Sequence, residues 1–390
     1  MKIGIDCRFW NQTGVGRYTR NLLTELAKID HKNDYVLFAR SQDIDEIPKV
    51  GKSTKKVKVN LPWHTLREQI FFPKILEKEK LDLVHFPYFS IPIKYKGNYV
   101  ITIHDLILHH FATGKASRLP FPFYSLKHQA YKKIISTAAK NSKKIIVPSL
   151  FVKNDVRNTL GVDEEKIVVT YEGVDEGLGK GVDEKIDLLE NIPFLLYVGN
   201  AYPHKNLQFL TESFKQFQKE YPEHANHHLV LVGKKDYFYD RLDKAIFHSS
   251  IVHLTEVSDE QLKWLYMNAK AFVNPSLSEG FSLPSIEALS LKCLVLLSAI
   301  PVHREICGKW AIYFDPTNSD DLVGKIKDLS QLSEQEVKIY QQNGSRHVRK
   351  YSWRNLAKET LKIYESSEAR VGPYTSSNVS SPKNEFESSL

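Results

Sequence analysis

The sequence predicts an α/β protein with two similar domains, each built on a parallel sheet. Short apolar runs alternate with helix-like stretches along nearly the whole chain, which is typical of parallel strands joined by helices. A chain of 390 residues is long for one hydrophobic core, so two domains are expected. A stretch at 172–193, rich in Gly and acidic residues, interrupts this rhythm and indicates the domain boundary.

The apolar runs give the strands in order. Seven candidates fall in the first half, at 2–6, 35–39, 57–61, 83–86, 99–104, 144–149 and 166–170. Six fall in the second half, at 194–199, 229–233, 251–254, 271–274, 294–298 and 311–314. We therefore expect a first domain at 1–172, a linker at 173–193 and a second domain at 194–350.

The C-terminal region predicts helices and then a tail. Helices are expected near 319–330 and 333–350, followed by an amphipathic helix at 351–367 with Ser352 as its N-cap. Residues 368–390 are rich in Ser, Asn and Pro, so we expect a disordered tail there.

Composition excludes several classes of protein. The apolar share of 42% and the charged share of 26% are ordinary for a soluble globular protein. The longest apolar run, at 293–300, is too short to cross a bilayer, and MKIGIDCRFW lacks the apolar core of a signal peptide. Three scattered cysteines do not make a disulfide framework or a zinc site. A cytoplasmic location is expected.

Positive charge is concentrated in the first half. Residues 1–175 hold 29 Lys and Arg against 18 Asp and Glu, whereas the remainder holds 25 against 28. A solvated lysine surface is one interpretation, and an anionic partner is the other. Because no zinc-finger, RRM or repeat signature accompanies the charge, an anionic membrane face or lipid-phosphate acceptor is favoured over nucleic acid. The basic, aromatic stretch 115–134 suits such a surface.

The most informative segment is EGFSLPSIE, which places Glu279 and Glu287 eight residues apart. A strand precedes it, and Pro284 suits the start of a helix. Gly280 permits close backbone approach. The N–H groups of Phe281, Ser282 and Leu283 would then lie at a helix N-terminus, free to bind an anion. Two solvated glutamates stabilised by the helix dipole are the alternative interpretation.

Other polar signals fall on the same predicted sheet edge. Lys205 ends the loop after the first strand of the second domain, with Asn206 as the expected N-cap of the next helix. The loop around Val257 follows the third strand of that domain. Ligands of open parallel sheets bind outside the carboxyl ends of the strands, so these loops predict one pocket. Lys205 suits a diphosphate; a plain surface lysine is the alternative. His204 is expected only to shape its loop.

The first half offers a weaker second wall. Gly14 and Gly16 lead from the first strand into a helix, in a pattern that suits either a phosphate loop or a tight turn. Arg17 and Arg20 face an acceptor or solvent. His104 ends a strand and suits a sugar hydroxyl, a phosphate or a core position.

No metal is expected. The only D-x-D run, at 43–45, lies in a loop far along the chain from these signals. His85 suits a pocket wall or a structural position. Without a cation site, Lys205 and helix-end amides must neutralise a leaving diphosphate.

Together these segments resemble the family-4 (group 1) glycosyltransferases, retaining enzymes of the GT-B fold. The match runs from MKIGIDCRF to about residue 367 and is most specific at 257–289; GVGRYTRNL, TIHD, YVGNAYPHKN and YSWRNLAKETL also fit. The resemblance implies two Rossmann-like domains facing a central cleft, the first binding the acceptor and the second the nucleotide sugar. It also implies that the C-terminal helix crosses back onto the first domain.

The resemblance implies a role for each matching residue. Glu279 would bind donor-sugar hydroxyls, Glu287 the ribose, and Lys205 the diphosphate. His104 would touch the donor sugar. The remaining donor-binding positions are Gly14, Gly16, Asn200, Val257, Phe281, Ser282 and Leu283. We take Glu279, Lys205 and His104 as the catalytic set.

Two departures from the family pattern concern the phosphate site. Asn200 and His204 stand where many relatives have an Arg, and Ser282 replaces the glycine common in EGFG. The expected activity is metal-independent, cofactor-free transfer of mannose or a similar hexose, with retention, to a glycan or lipid-linked acceptor in surface polysaccharide or lipopolysaccharide synthesis. A silent nucleotide-sugar-binding scaffold or another GT-B-type enzyme, such as an epimerase or a phosphorylase, is the alternative. Peripheral association with the inner membrane face is also expected.

Overall fold

The computed structural model describes residues 1–111, 121–174, 182–246 and 248–368. Its described part contains two parallel sheets, which confirms the predicted α/β class. The first sheet has the order β3-β2-β1-β4-β5-β6-β7. Its strands are β1 (Lys2–Asp6), β2 (Asp34–Ala39), β3 (Ser53–Lys58), β4 (Leu83–Phe86), β5 (Tyr99–Thr102), β6 (Lys144–Val147) and β7 (Ile167–Val169).

Helices of the first domain cover this sheet, with separate hydrophobic clusters on its two faces. They are α1 (Gly14–Ile29), α2 (Leu66–Lys78), α3 (Ile107–His110), α4 (Phe121–Asn141) and α5 (Leu150–Leu160). Side-chain caps fix two of their starts. Thr65 accepts from the N–H of Glu68, and Ser149 accepts from the N–H of Val152. Gly161, with φ of 61°, ends α5 in the left-handed region.

The second sheet has the order β10-β9-β8-β11-β12-β13. Its strands are β8 (Phe194–Val198), β9 (His228–Val232), β10 (Ile251–Leu254), β11 (Ala271–Asn274), β12 (Val295–Ser298) and β13 (Ile312–Phe314). Helices associated with it are α6 (Leu207–Glu220), α7 (Tyr237–Ile246), α8 (Asp259–Asn268), α9 (Leu283–Ser290), α10 (Pro301–Cys307), α11 (Ser319–Gln331) and α12 (Glu334–Val348). Strand order reverses between β8 and β11, the position at which open parallel sheets form a ligand crevice.

The last helix, α13 (Trp353–Glu368), packs against the first domain. Its buried residues Trp353, Leu356 and Tyr364 share a hydrophobic cluster with residues of α1 and β1. The Tyr364 hydroxyl lies 2.6 Å from Nδ1 of His85, whose Nε2 contacts Thr102. His85 is therefore a fully buried structural residue, and the predicted return of the C-terminal helix is present.

Two local expectations were wrong in detail. Strand β3 spans Ser53–Lys58 rather than 57–61, because half of this edge strand is lysine and its apolar signal is weak. Asn206 stands just before α6 but makes no side-chain cap. Its φ is 58°, and its amide instead donates to the carbonyl of Pro316. The predicted tail, beyond Glu368, and part of the predicted linker lie outside the described residues.

Membrane crossing has no support from the described helices. In that part of the chain, none is long and apolar enough to span a bilayer.

Candidate functional site

The Glu279–Glu287 segment follows β11 and leads into α9 as the sequence predicts. Helix α9 begins at Leu283, with Pro284 in its first turn. Ser282 has φ of 75°, a conformation that glycine adopts without strain. Its hydroxyl lies 2.7 Å from that of Ser285 and accepts from Nδ2 of Asn274 at 3.0 Å. These contacts hold a serine where the family pattern has glycine.

Lys205 and Glu279 form an ion pair in the pocket. The ammonium donates to Oε1 of Glu279 at 2.7 Å, and the two side chains are 18% and 9% exposed. Burial favours the neutral acid, but the charge and hydrogen bond of Lys205 outweigh it and lower the pKa of Glu279 to about 2. The carboxylate is therefore ionised at every physiological pH. It can accept hydroxyl hydrogen bonds but cannot supply a proton.

Two residues that the sequence did not single out fix Glu279 in place. Ser276 donates to Oε1 of Glu279 at 2.7 Å, and Asn274 donates to the same oxygen at 3.3 Å. Both are buried. Because Lys205, Ser276 and Asn274 all bind Oε1, the second carboxylate oxygen is left for a further donor. The small polar residues of the NPSLS segment were the sequence feature that could have indicated these contacts.

Backbone donors lie beside this carboxylate. Within the described residues, the N–H groups of Phe281, Ser282 and Leu283 have no acceptor. These groups form the N-terminus of α9, where the helix dipole favours an anion. The Phe281 ring packs near Tyr171 and Tyr351, which anchors the turn.

The two domains meet at Gly280. A Cβ at this position would lie 2.1 Å from the carbonyl oxygen of His104, so only glycine fits the contact. The hydroxyl of Ser149 donates to the carbonyl of Gly280 at 2.8 Å. The Glu305 carboxylate also accepts from the first two N–H groups of α5, at 2.8 and 2.9 Å. The second domain thus caps a helix of the first.

His104 lies at this junction with both ring nitrogens engaged. Nδ1 is 3.3 Å from Oε1 of Glu172, and Nε2 is 3.0 Å from the carbonyl of Pro87. Both partners are acceptors, so a doubly protonated ring satisfies them best. Burial opposes this charge, but Glu172 outweighs it and raises the pKa of His104. The contact with donor sugar that the resemblance implies would need one of these hydrogen bonds to open.

Asp105 adds an acid that the sequence pattern did not single out. It accepts from the N–H of Ile107 at 2.9 Å and lies close enough to Lys205 and Glu279 to feel their charges. Burial raises the pKa of Asp105 above its ordinary value, and that hydrogen bond offsets the effect only in part. Asp105 is the last residue of the TIHD segment, of which only the histidine was predicted to have a role.

Glu287 pairs with the first domain. It is 1% exposed and forms an ion pair with Arg17 of α1, and its other oxygen accepts from the hydroxyl of Tyr266 at 3.2 Å. If Glu287 binds the ribose, as the resemblance implies, the ribose hydroxyls must share the carboxylate with Arg17 or displace Arg17 from it. The two residues lie 270 positions apart in the sequence, so no local pattern predicts their contact.

Gly14 and Gly16 differ in what surrounds them. Gly14 begins α1, and a Cβ there would meet nothing within 4 Å. Gly16 is buried, and a Cβ there would lie 2.3 Å from the carbonyl of Trp10. Gly16 is therefore needed for packing, whereas the open backbone at Gly14 faces solvent and is accessible to a phosphate.

The remaining predicted residues lie in loops of the second domain. The carbonyl of Asn200 accepts from the hydroxyl of Tyr197 at 2.8 Å, and its side chain accepts from the N–H of Tyr202. Asn200 thus shapes the loop that leads to Lys205. Val257 lies between β10 and α8, partly buried against the core. His204 is half-buried and within ring contact of Tyr202 and Phe111.

The described residues contain no candidate metal-binding site. No group of three or more His, Cys, Asp or Glu side chains there is arranged to hold a metal ion. Asp43, of the D-x-D run, is buried and accepts from Asn11.

Comparisons with known proteins agree with this arrangement. Residues 12–178 match the family model described as Glycosyltransferase Family 4, and residues 182–346 match the one described as Glycosyl transferases group 1. The O-antigen chain mannosyltransferase RfbU of Salmonella typhimurium is 26% identical, covering 82% of this chain and 88% of the relative. The O-antigen chain mannosyltransferase B of Escherichia coli is 25% identical, covering 90% and 96%.

Two solved structures show the same fold. Sucrose-phosphate synthase of Thermosynechococcus elongatus has a TM-score of 0.74 at 16% identity and covers 94% of this chain and 98% of its own. HepE of Anabaena, in complex with UDP-glucose, has a TM-score of 0.70 at 14% identity and covers 94% and 100%. Both likenesses concern the fold, and it is the GT-B arrangement that the sequence predicted.

Proposed function

The chain belongs to the group 1 glycosyltransferases of the GT-B fold, and from this membership we propose that it transfers a hexose, most simply mannose, from a nucleotide-diphosphate sugar. The acceptor is a hydroxyl of a glycan or lipid-linked glycan in cell-surface polysaccharide or lipopolysaccharide synthesis. Mannose is favoured because both curated relatives named above are O-antigen chain mannosyltransferases. A nucleotide-sugar donor is favoured because the HepE structure holds UDP-glucose.

One observation carries the proposal: the Lys205–Glu279 pair lies beside the free amides at the start of α9. A diphosphate taken by Lys205 and these amides would leave Glu279 to accept hydroxyls of the attached sugar. His104, across the domain contact, adds positive charge when its ring is protonated. These groups can stabilise the leaving diphosphate without a metal ion, so we propose a metal-independent, cofactor-free enzyme.

We propose transfer with retention of configuration. Lys205, Ser276 and Asn274 bind one oxygen of Glu279, and in this proposal the other oxygen accepts a hydroxyl of the donor sugar, so the carboxylate does not act as a covalent nucleophile. The bond from the anomeric carbon to the diphosphate oxygen breaks, and the acceptor oxygen bonds to that carbon on the same face. The acceptor proton passes to the departing phosphate oxygen. Closure of the domains at Gly280 excludes water, which would otherwise hydrolyse the donor.

A donor screen tests this proposal. The protein is incubated with UDP-, GDP- and ADP-sugars and with α-linked mannobiose, and nucleoside diphosphate release and the anomeric proton of the product are followed by NMR. We expect release with one donor, dependent on mannobiose, and a product that keeps the donor's configuration. Binding without turnover would favour a scaffold, and phosphate-dependent cleavage would favour a phosphorylase; either contradicts the proposal.

We also propose that the first domain rests on an anionic membrane. Helix α2 exposes Leu66, Ile70 and Phe71, at 81%, 50% and 47%. These positions fall on one helix face, beside exposed Arg67 and Lys74. An apolar stripe flanked by basic residues is typical of interfacial helices, and an anionic bilayer matches its charge.

Liposome flotation tests the membrane proposal. We expect the wild type to float with vesicles containing anionic lipid and to detach at high salt, and the double variant Ile70→Ser/Phe71→Ser to stay behind. Ile339→Ser is the matched control, because Ile339 is 46% exposed on α12 of the other domain. Equal flotation of all three proteins, or none by the wild type, would contradict membrane binding through α2.

A further inference from the structure

A cavity of about 470 Å³ lies on the first domain, away from the Lys205–Glu279 pair. Residues 40–42 and 60–63 line it, just beyond the carboxyl ends of β2 and β3. Its volume falls within the roughly 300–1,000 Å³ of small-ligand pockets. Because all strands of this sheet are parallel, the cavity opens at the same sheet edge as His104.

The wall of this cavity is preorganised. Asn60 accepts from the N–H of Ser41 at 2.9 Å and donates to the Ser41 hydroxyl at 2.8 Å. These two bonds tie the loop after β2 to the loop after β3. The loops therefore hold one shape without a ligand.

Arg40 supplies the only charge in the cavity lining. Its guanidinium carbon lies 5.2 Å from the centre of the Trp63 ring, and among the described residues it forms no ion pair with a carboxylate. An arginine over an aromatic ring keeps its N–H donors available for a planar or tetrahedral anion. The lining holds no acidic residue to compete.

An aromatic strip connects this cavity with the cleft. Trp63 stacks on Phe9 with ring centres 4.7 Å apart, and Phe9 lies 5.0 Å from Tyr88. Tyr88 lies close enough to Asp105 for the charge of that carboxylate, added to the effect of burial, to raise the pKa of Tyr88. Phe9 is buried, so Trp63 supplies the aromatic surface of the cavity that suits the apolar face of a sugar ring, while the amide and hydroxyl rim suits the sugar hydroxyls.

We propose that this cavity is a distal subsite that binds an acidic residue of the acceptor glycan, a sugar bearing a phosphate or a carboxylate. Trp63 contacts the sugar face, and Arg40 pairs with the anionic group. The aromatic contacts from Trp63 through buried Phe9 to Tyr88 mark the direction in which the sugars between this residue and the accepting hydroxyl run. The inference rests on the proposed function, because it gives the acceptor its chemical class: an oligosaccharide rather than a single sugar.

Calorimetry without donor tests the subsite independently of turnover. The probes are α-linked mannotriose, the same trisaccharide with a 6-phosphate on one terminal residue, and inorganic phosphate. We expect the phosphorylated trisaccharide to bind at least tenfold more tightly than mannotriose. Arg40→Gln should abolish this difference, and Trp63→Ala should weaken both trisaccharides whereas Trp63→Phe binds as the wild type does. Arg241→Gln, which alters a similar arginine–tyrosine pair in the second domain, should change nothing.

Several results would overturn the subsite. They are wild-type binding of neither trisaccharide, unchanged binding by Arg40→Gln and Trp63→Ala, or inorganic phosphate binding as tightly as the phosphorylated trisaccharide. In transfer assays, Trp63→Ala should raise KM for the phosphorylated trisaccharide at unchanged kcat, whereas KM for a monosaccharide acceptor stays the same. Normal trisaccharide binding with no transfer from any donor would refute the proposed function and leave the subsite standing.

Discussion

Replacing Glu279 with Gln is the perturbation whose size the structure fixes best. Lys205 and the surrounding hydrogen bonds lower the pKa of Glu279 from an ordinary 4.5 to about 2, although the carboxylate is buried. A group with a lowered folded-state pKa stabilises the fold above its unfolded pKa. That contribution is lost as the pH falls toward the folded pKa. At about 1.4 kcal/mol for each pKa unit, the ionised carboxylate contributes about 3 kcal/mol at pH 7 and about half of that at pH 3.

Urea unfolding of wild type and Glu279→Gln between pH 7 and pH 3 measures this contribution. We expect the variant to be less stable by about 3 kcal/mol at pH 7, with the gap narrowing as the pH falls. Glu334→Gln is the control, since its side chain is 95% exposed on a helix of the same domain, and it should unfold as the wild type does. A gap that is absent at pH 7, or that widens toward pH 3, would refute the buried-pair reasoning.

Two further variants probe the domain contact. Gly280→Ala places a methyl group against the carbonyl of His104, so we expect kcat/KM to fall at least tenfold, about 1.4 kcal/mol, because the cleft cannot close. Gly324→Ala, in a helix with open space around it, should keep full activity, and equal activity of the two variants would contradict the contact. Glu172→Gln removes the carboxylate that raises the pKa of His104. The ring then loses its proton at lower pH. The alkaline limb of the kcat/KM profile and the NMR titration of His104 should therefore both shift to lower pH. An unchanged pH profile would show that catalysis does not use the charge of His104.

Local sequence patterns predicted much of the fold but little of how the two domains contact each other. Fully buried parallel strands such as β4 and β11 are largely apolar runs, so their first and last residues agree with the prediction. Half of edge strand β3 is lysine, and this strand was misplaced. The position of Lys205 beside Glu279 followed from strand order, because both residues lie at the carboxyl edge of one sheet.

Contacts between distant segments could not be predicted this way. Arg17 and Glu287 lie on different domains, as do Glu305 and the start of α5, and no periodicity relates either pair. The strained φ of Ser282 depends on hydroxyl and amide partners that only the folded turn assembles. Such features follow from tertiary packing, which a single sequence does not display.

The central claim is that Lys205 holds the donor diphosphate beside Glu279. Its most direct test is nucleoside diphosphate release from the donor that the screen identifies, compared between wild type and Lys205→Met, with Lys215→Met on the neighbouring helix as control. We expect kcat/KM to fall roughly 100-fold or more in Lys205→Met, about 2.7 kcal/mol of lost stabilisation, and to stay unchanged in the control. Full activity of Lys205→Met, with the fold intact, would contradict the account.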